Sequence, residues 1–144
     1  MHSLNEMDIF VMQWVTGISG SKKKATVVGL YGDLGSGKTA FTQAVAKVLG
    51  IKTTVTSPTF VIEKIYKINY KQSTGFTHFI HIDAYRLGKS DELVRLGWNE
   101  IITDPSNLIF IEWPERVVDS MPIDHIKLKF TFIDETTREI EVLQ

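Results

Sequence analysis

The stretch "GDLGSGKT", residues 32–39, contains the pattern G-x-x-x-x-G-K-[ST], which is typical of a loop that binds phosphate groups. Gly32 and Gly37 allow the backbone to curl so that its N–H groups point inward at phosphate oxygens. Lys38 supplies a positive charge for the β- and γ-phosphates, and the Thr39 hydroxyl is a ligand for Mg²⁺. The pattern therefore predicts a nucleoside triphosphate bound with magnesium, but it does not identify the base or imply hydrolysis.

The segments on either side of this loop are those that the motif requires. Residues 25–31, "ATVVGLY", form a short apolar run rich in β-branched side chains, which predicts a buried strand. Residues 38–50, "KTAFTQAVAKVLG", have apolar side chains at helical spacing, and Gly50 is expected to end that helix. A strand that leads into the loop and a helix that leads out of it support the assignment.

The rest of the chain alternates between helical and strand patterns. The predicted helices are residues 3–18 and a short one that begins at Ser90, and the predicted strands are 59–70, 76–83, 107–113, 125–134 and 138–144. Residues 71–75 and 135–137 are expected to be hairpin loops. We therefore predict one α/β domain of the P-loop NTPase type over residues 1–144, with a central mixed β-sheet flanked by helices.

Composition narrows the range of functions. Hydrophobic residues make up 43% and charged residues 23% of the 144, the formal net charge is −1, and cysteine is absent. A protein that binds nucleic acid by itself usually carries an excess of basic residues, so direct nucleic-acid binding is not expected. The N-terminus lacks the basic region of a signal peptide, and apolar runs are too short to span a membrane. We expect a soluble cytoplasmic protein.

Two acidic residues at predicted strand ends compete for the metal side of the site. "LIFIE" ends in Glu112 after a fully apolar lead-in, and "FIHID" ends in Asp83. Open α/β sheets bind ligands at the carboxyl ends of their strands, so both acids could reach the site. The cleaner strand favours Glu112 as the metal-side acid, which leaves Asp83 to orient a water or to couple to the γ-phosphate. His81 shares a face with Asp83, and we interpret it as a hydrogen-bonded histidine rather than a transition-metal ligand.

The remaining features sort the NTPase classes. "TVTSPTF", residues 54–60, offers hydroxyls at Thr56, Ser57 and Thr59 that could reach the γ-phosphate or the magnesium, although such a segment can also be an ordinary turn. The D-x-x-G and N-K-x-D motifs of guanine-specific GTPases do not occur, which favours ATP. Four arginines and no inserted lid argue against a nucleotide kinase. We expect a minimal ATPase that turns over slowly alone and acts on a partner.

The ordered motifs "YGDLGSGKT", "TSPTF", "HIDAYRL", "DELVRLG" and "EWPER" resemble the TsaE (YjeE) family, the bacterial ATPase component of tRNA threonylcarbamoyladenosine synthesis. The resemblance implies that Thr39 and Glu112 hold Mg²⁺, that Asp83 is needed for ATP hydrolysis and that Trp113 is the family's tryptophan beside the metal-side acid. It also implies binding to a complex of TsaD and TsaB, with tRNA met only through that complex.

The expected site has two overlapping sets of residues. Asp83, Glu112 and Lys38 are the predicted catalytic residues. ATP or ADP is expected to contact Gly32, Asp33, Leu34, Gly35, Ser36, Gly37, Lys38, Thr39, Ala40, Thr56, Ser57, Thr59 and Trp113. Two other functions stay open at this point: an assembly module in which nucleotide binding rather than hydrolysis matters, and a small-molecule kinase.

Overall fold

The computed structural model describes residues 4–18, 23–33, 36–51, 63–68, 75–87, 90–135 and 137–143. Its elements, in chain order, are α1 (Leu4–Gly17), β1 (Thr26–Tyr31), α2 (Lys38–Val48), β2 (Glu63–Lys67), β3 (His78–Asp83), α3 (Ser90–Arg95), α4 (Trp98–Ile102), β4 (Asn107–Glu112), a 3-10 helix (Pro114–Ser120), β5 (Ile126–Asp134) and β6 (Thr137–Leu143). In this part of the chain, none of the helices is long and apolar enough to cross a membrane.

The six strands form one sheet in the order β2-β3-β4-β1-β5-β6. The four inner strands are parallel to one another, and β2 and β6 pair antiparallel at the two edges. The prediction of a mixed sheet flanked by helices is therefore confirmed, as are both antiparallel hairpin pairings. Buried parallel strands need apolar side chains on both faces, which explains why β1 and β4 read as continuous apolar runs.

Helices cover both faces of the sheet, and each face has its own core. On one face, α1 and α2 pack over aromatic side chains of the sheet, including Phe79, Phe110 and Phe130. On the other face, α3, α4 and the 3-10 helix pack over isoleucines of β3 and β4. We call these the aromatic face and the isoleucine face. The predicted functional site lies on the aromatic face, because α2 begins there directly after the glycine-rich loop.

Two short helices were not predicted from the sequence. The helix α4 begins after Gly97, which adopts φ 87°, and it buries Trp98 to 3% exposure in the core of the isoleucine face. The 3-10 helix begins at Pro114, whose fixed φ suits the first helical position. Each element is too short to show a helical periodicity, so only packing against the sheet reveals it.

Candidate functional site

The glycine-rich loop joins the end of β1 to the start of α2. Gly32 has φ 139° and Gly37 has φ 104°, and residues other than glycine rarely adopt either value. A Cβ atom on Gly32 would also lie 2.4 Å from the Phe130 carbonyl oxygen, so β5 leaves no room for one. The loop is thus held tightly against the sheet at its first glycine.

The start of α2 has the properties of an anion site. Because Gly37 is the residue before the helix and has no side chain, it cannot cap the N–H groups of the first turn. Those N–H groups and the positive end of the helix dipole favour a negative charge here. In the same loop, the Ser36 hydroxyl is buried and has no hydrogen-bond partner among the described residues. An oxygen-rich ligand such as phosphate fits both features.

Lys38 is a buried cation, 5% exposed. Its Nζ atom donates a hydrogen bond to the Gly32 carbonyl and lies 4.2 Å from the centre of the Trp113 ring. Burial lowers the pKa of Lys38 below its ordinary value, and nearby carboxylates, Glu112 foremost, oppose that shift. A buried lysine among carboxylates and beside an open helix start is well placed to neutralise a phosphate.

Glu112 and Asp83 end two neighbouring parallel strands. They are partners in the register of β3 and β4, so their side chains leave the sheet side by side at its carboxyl edge. Glu112 is 5% exposed, and its Oε2 atom lies 2.7 Å from His81 Nε2, a contact in which the histidine N–H donates. Asp83 is more open, and its carboxylate accepts a hydrogen bond from the Tyr85 backbone N–H at 3.0 Å.

The two carboxylates have different surroundings. Burial raises the pKa of Asp83 above its ordinary value, and the negative charge of Glu112 adds to this, while the hydrogen bond from Tyr85 opposes it. The Glu112 side chain is more deeply buried than that of Asp83, and its carboxylate is held in place by the contact with His81. A rigid carboxylate suits metal binding, and a carboxylate with a raised pKa suits proton transfer. Glu112 and Asp83 therefore differ in burial, in hydrogen-bond partner and in the chemistry that each could support.

Trp113 follows Glu112 in a strained conformation. Its φ is 59°, a positive value that residues other than glycine rarely adopt, and Pro114 follows it directly. The Trp113 ring contacts the Tyr85 ring with centroids 5.1 Å apart, and the Arg116 guanidinium lies 5.2 Å from the Tyr85 ring. The Trp113 side chain thus packs at the margin of the isoleucine-face core while its ring also lies beside the Lys38 ammonium.

The structure therefore brings together most of the predicted site. Lys38, Asp83, Glu112 and Trp113 converge at the carboxyl edge of the parallel strands. Thr39 lies in the first turn of α2, and Asp33 and Ala40 are exposed near the loop. The predicted contact residues that lie outside the described residues are Leu34, Gly35, Thr56, Ser57 and Thr59.

Sequence reasoning missed or misplaced some contacts. His81 was expected to form a hydrogen bond near Asp83, and its partner is Glu112 on the neighbouring strand. His81 lies two residues before Asp83, so the sequence placed both side chains on the same face of the sheet. Only the pairing of the strands determines that His81 contacts Glu112. Glu115, whose charge opposes the lowering of the Lys38 pKa by burial, and Arg138, which lies against Gly37, gave no recognisable signal in the sequence.

Comparison with known proteins identifies the family of this chain. A family model described as "Threonylcarbamoyl adenosine biosynthesis protein TsaE" matches residues 5–140. The tRNA threonylcarbamoyladenosine biosynthesis protein TsaE of Borreliella burgdorferi is 41% identical over 98 residues, which are 67% of this chain and 66% of that protein. Its counterpart in Treponema pallidum is 31% identical over 130 residues, 90% of each chain.

A solved structure has the same fold. The crystal structure of YdiB from Bacillus subtilis aligns with a TM-score of 0.71 and 25% sequence identity. The alignment covers 99% of this chain and 80% of that one. The match supports the α/β class and the arrangement of helices around the mixed sheet.

Proposed function

Because the chain belongs to the TsaE family of tRNA threonylcarbamoyladenosine biosynthesis proteins, we propose that it is a magnesium-dependent ATPase that supports the enzyme complex which modifies the tRNA. In this proposal the protein binds ATP, hydrolyses it slowly alone and acts through TsaD and TsaB. The transfer of the threonylcarbamoyl group takes place on that complex, and tRNA is met only indirectly. A cytoplasmic location is part of the proposal, since tRNA is modified there.

The observation that carries the proposal is the placement of Lys38 opposite two acids. Lys38 is almost fully buried at the start of α2, and Glu112 and Asp83 leave the ends of adjacent strands towards it. Placing a buried lysine beside one buried and one partly buried carboxylate costs stability, so a fold tolerates this arrangement where a function requires it. In the proposed complex, the negative triphosphate and the positive magnesium ion would balance the charges of Lys38 and the two carboxylates.

The positions of the side chains and N–H groups around the loop indicate which of them would hold the nucleotide. The N–H groups at the start of α2 and the buried Ser36 hydroxyl would receive phosphate oxygens, and the Lys38 ammonium would leave the Gly32 carbonyl to bind the β- and γ-phosphates. Thr39 and Glu112 would hold the magnesium. This ion often uses one or two protein oxygens with phosphates and water, so two protein ligands are enough.

His81 gives Glu112 its orientation. The Nε2–H group donates to Glu112 Oε2, and both side chains are buried between β3 and β4. A carboxylate that is already hydrogen-bonded presents its other oxygen in a fixed direction, which favours one metal position over others. We therefore assign His81 as a positioning residue for the metal-side acid.

Asp83 is the residue proposed to act on water. Its carboxylate is partly open, and its pKa is raised by burial, which makes it a better proton acceptor than an ordinary aspartate. In the proposed step, Asp83 orients a water and takes its proton while the oxygen attacks the γ-phosphorus. The bond to the β–γ bridging oxygen breaks, and ADP and inorganic phosphate leave. Magnesium, when bound, would neutralise charge on the phosphates.

Single-turnover hydrolysis of γ-labelled ATP tests the proposal. The purified protein is assayed alone, with TsaD and TsaB, and with an unrelated protein of similar size as a control. We expect slow hydrolysis alone and faster hydrolysis with the two partners, and magnesium chelation should abolish both. Binding of ATP without any hydrolysis in the complete mixture would instead favour an assembly module. Failure to bind ATP at all would overturn the proposal.

A further inference from the structure

The tip of the β5–β6 hairpin lies against the glycine-rich loop. Phe132 on β5 and Arg138 on β6 are partners in the strand register. Phe132 follows Phe130 by two residues and Arg138 precedes Ile140 by two, so the pair continues the aromatic face towards its carboxyl edge. Phe132 is 52% exposed there, beyond the end of the core. An exposed aromatic ring next to an arginine therefore borders the predicted phosphate site.

Several contacts fix the arginine in place. Its guanidinium carbon lies 4.4 Å from the centre of the Phe132 ring. The Nη1 atom donates to the backbone carbonyls of Asp134 and Thr137 at the hairpin turn. The position that a Cβ atom on Gly37 would take lies 3.6 Å from Arg138 Cγ, so the alkyl part of the side chain covers the glycine that precedes Lys38. The guanidinium plane is thus prearranged beside the loop.

The strand order determines which end of a bound triphosphate meets this arginine. The loop follows β1, and the acids proposed to act at the γ-phosphate, Asp83 and Glu112, are on β3 and β4 to one side of β1. The β5–β6 hairpin is on the opposite side of β1. A triphosphate with its γ-end near β4 extends its other end past Gly37, and that end carries the sugar and the base.

We propose that Arg138, held against Phe132, forms the nucleoside end of the nucleotide site, with its guanidinium plane stacked on the base. Guanidinium groups and aromatic rings are good stacking partners for bases because both have flat faces of low hydration. This inference rests on the proposed ATP-binding function and extends it to the part of the nucleotide that the loop motif does not contact.

The test compares two ligands that share phosphates and differ in the nucleoside. Calorimetric titration measures the Kd of ATP and of inorganic tripolyphosphate, each with magnesium, for the wild type and Arg138→Met. Methionine keeps much of the alkyl packing against Gly37 and removes the guanidinium. We expect the Kd of ATP to rise on the order of tenfold and that of tripolyphosphate to change less than about twofold.

The controls separate this inference from the proposed function. Arg95→Met removes the same charge from an exposed position on α3 and should leave both Kd values unchanged. An unchanged ATP affinity in Arg138→Met, or an equal loss for both ligands, would overturn the nucleoside contact while the ATP-binding function stands. A wild type that binds no ATP would overturn both. If Arg138→Met does not fold in a thermal melt, Phe132→Leu is titrated instead, with a threefold or so rise expected for ATP alone.

Discussion

The two edges of the parallel strands each carry a polar pair with the same separation. At the carboxyl edge, His81 Nε2 and Glu112 Oε2 are 2.7 Å apart, and their side chains are 0% and 6% exposed. At the amino edge, Lys24 Nζ and Asp124 Oδ1 are also 2.7 Å apart, but their side chains are 41% and 67% exposed. Distance alone does not distinguish the two pairs, but their contact with water does.

The difference in burial changes how strongly the two partners of each pair depend on one another. Lys24 and Asp124 remain in contact with water, so their attraction is screened and adds little to stability. His81 and Glu112 have lost theirs, so each depends on the other for a hydrogen bond. A protein that needed only stability would be served better by apolar side chains at the carboxyl edge. The buried polar groups at that edge support the proposed nucleotide site.

The largest expected effect comes from removing the proposed base at the carboxyl edge. Asp83→Asn should lower the single-turnover rate of ATP hydrolysis by about 10²–10⁴-fold, because the amide cannot accept the proton of water. ATP affinity should remain within a few-fold of the wild type. Asp124→Asn, the matching change at the amino edge, should leave the rate unchanged. Loss of ATP binding in Asp83→Asn would give Asp83 a structural role.

The next effect is on nucleotide binding. Lys38→Ala should raise the Kd of ATP by about 10–150-fold, since a hydrogen bond to a charged group contributes about 1.5–3 kcal/mol. Lys24→Ala removes the same charge at the amino edge and should leave the Kd unchanged. Equilibrium dialysis with labelled ATP measures both. Equal affinities in the two variants would rule out Lys38 as a phosphate ligand.

The two pairs should also differ in their effect on folding. His81→Ala leaves a cavity and a buried carboxylate without its donor, so the free energy of unfolding should fall by about 2–4 kcal/mol. Lys24→Ala should lower it by no more than about 1 kcal/mol. Denaturant titration gives both values. His81→Gln, which can still donate to Glu112, should bind magnesium more tightly than His81→Ala; equal magnesium requirements would contradict the positioning role.

The smallest expected effect is a pH-dependent gain in stability when Asp83 is replaced by asparagine. Because burial raises the pKa of Asp83, the folded protein holds this proton at pH values where the unfolded chain has released it. Stability therefore falls as pH rises through that window, and the cost persists at pH 7. Asp83→Asn should raise the melting temperature at pH 7 by about 2–4 °C, with a smaller gain near pH 4. A gain that does not depend on pH would exclude this explanation.

Much of the site could be predicted because local sequence encodes it. The loop of residues 32–39 needs glycines and a lysine at fixed spacing, and the strand ends Asp83 and Glu112 are marked by the apolar runs before them. The predicted end of α2 near Gly50 was also correct, since α2 ends at Val48, Leu49 is its C-cap and Gly50 follows with φ 77°. These features depend on residues within a few positions of one another, so they can be recognised in a single sequence.

Other contacts could not be predicted because they join distant segments. The partner of His81 is 31 positions away, and it is selected by the register of β3 against β4. Arg138 lies about a hundred positions from Gly37 in the chain and meets it because β5 pairs with β1. Periodicity shows which face a side chain takes, but it does not give the order of strands.

The sequence by itself determined the alternation of strands and helices, the phosphate-binding motif and the family resemblance that the comparisons bear out. Each of these depends on local spacing or on the order of motifs. Only the tertiary structure decided the strand order, the burial of Lys38 and the pairing of His81 with Glu112. These follow from which strands pack side by side, and that choice is made by the burial of the whole apolar surface rather than by a local stretch.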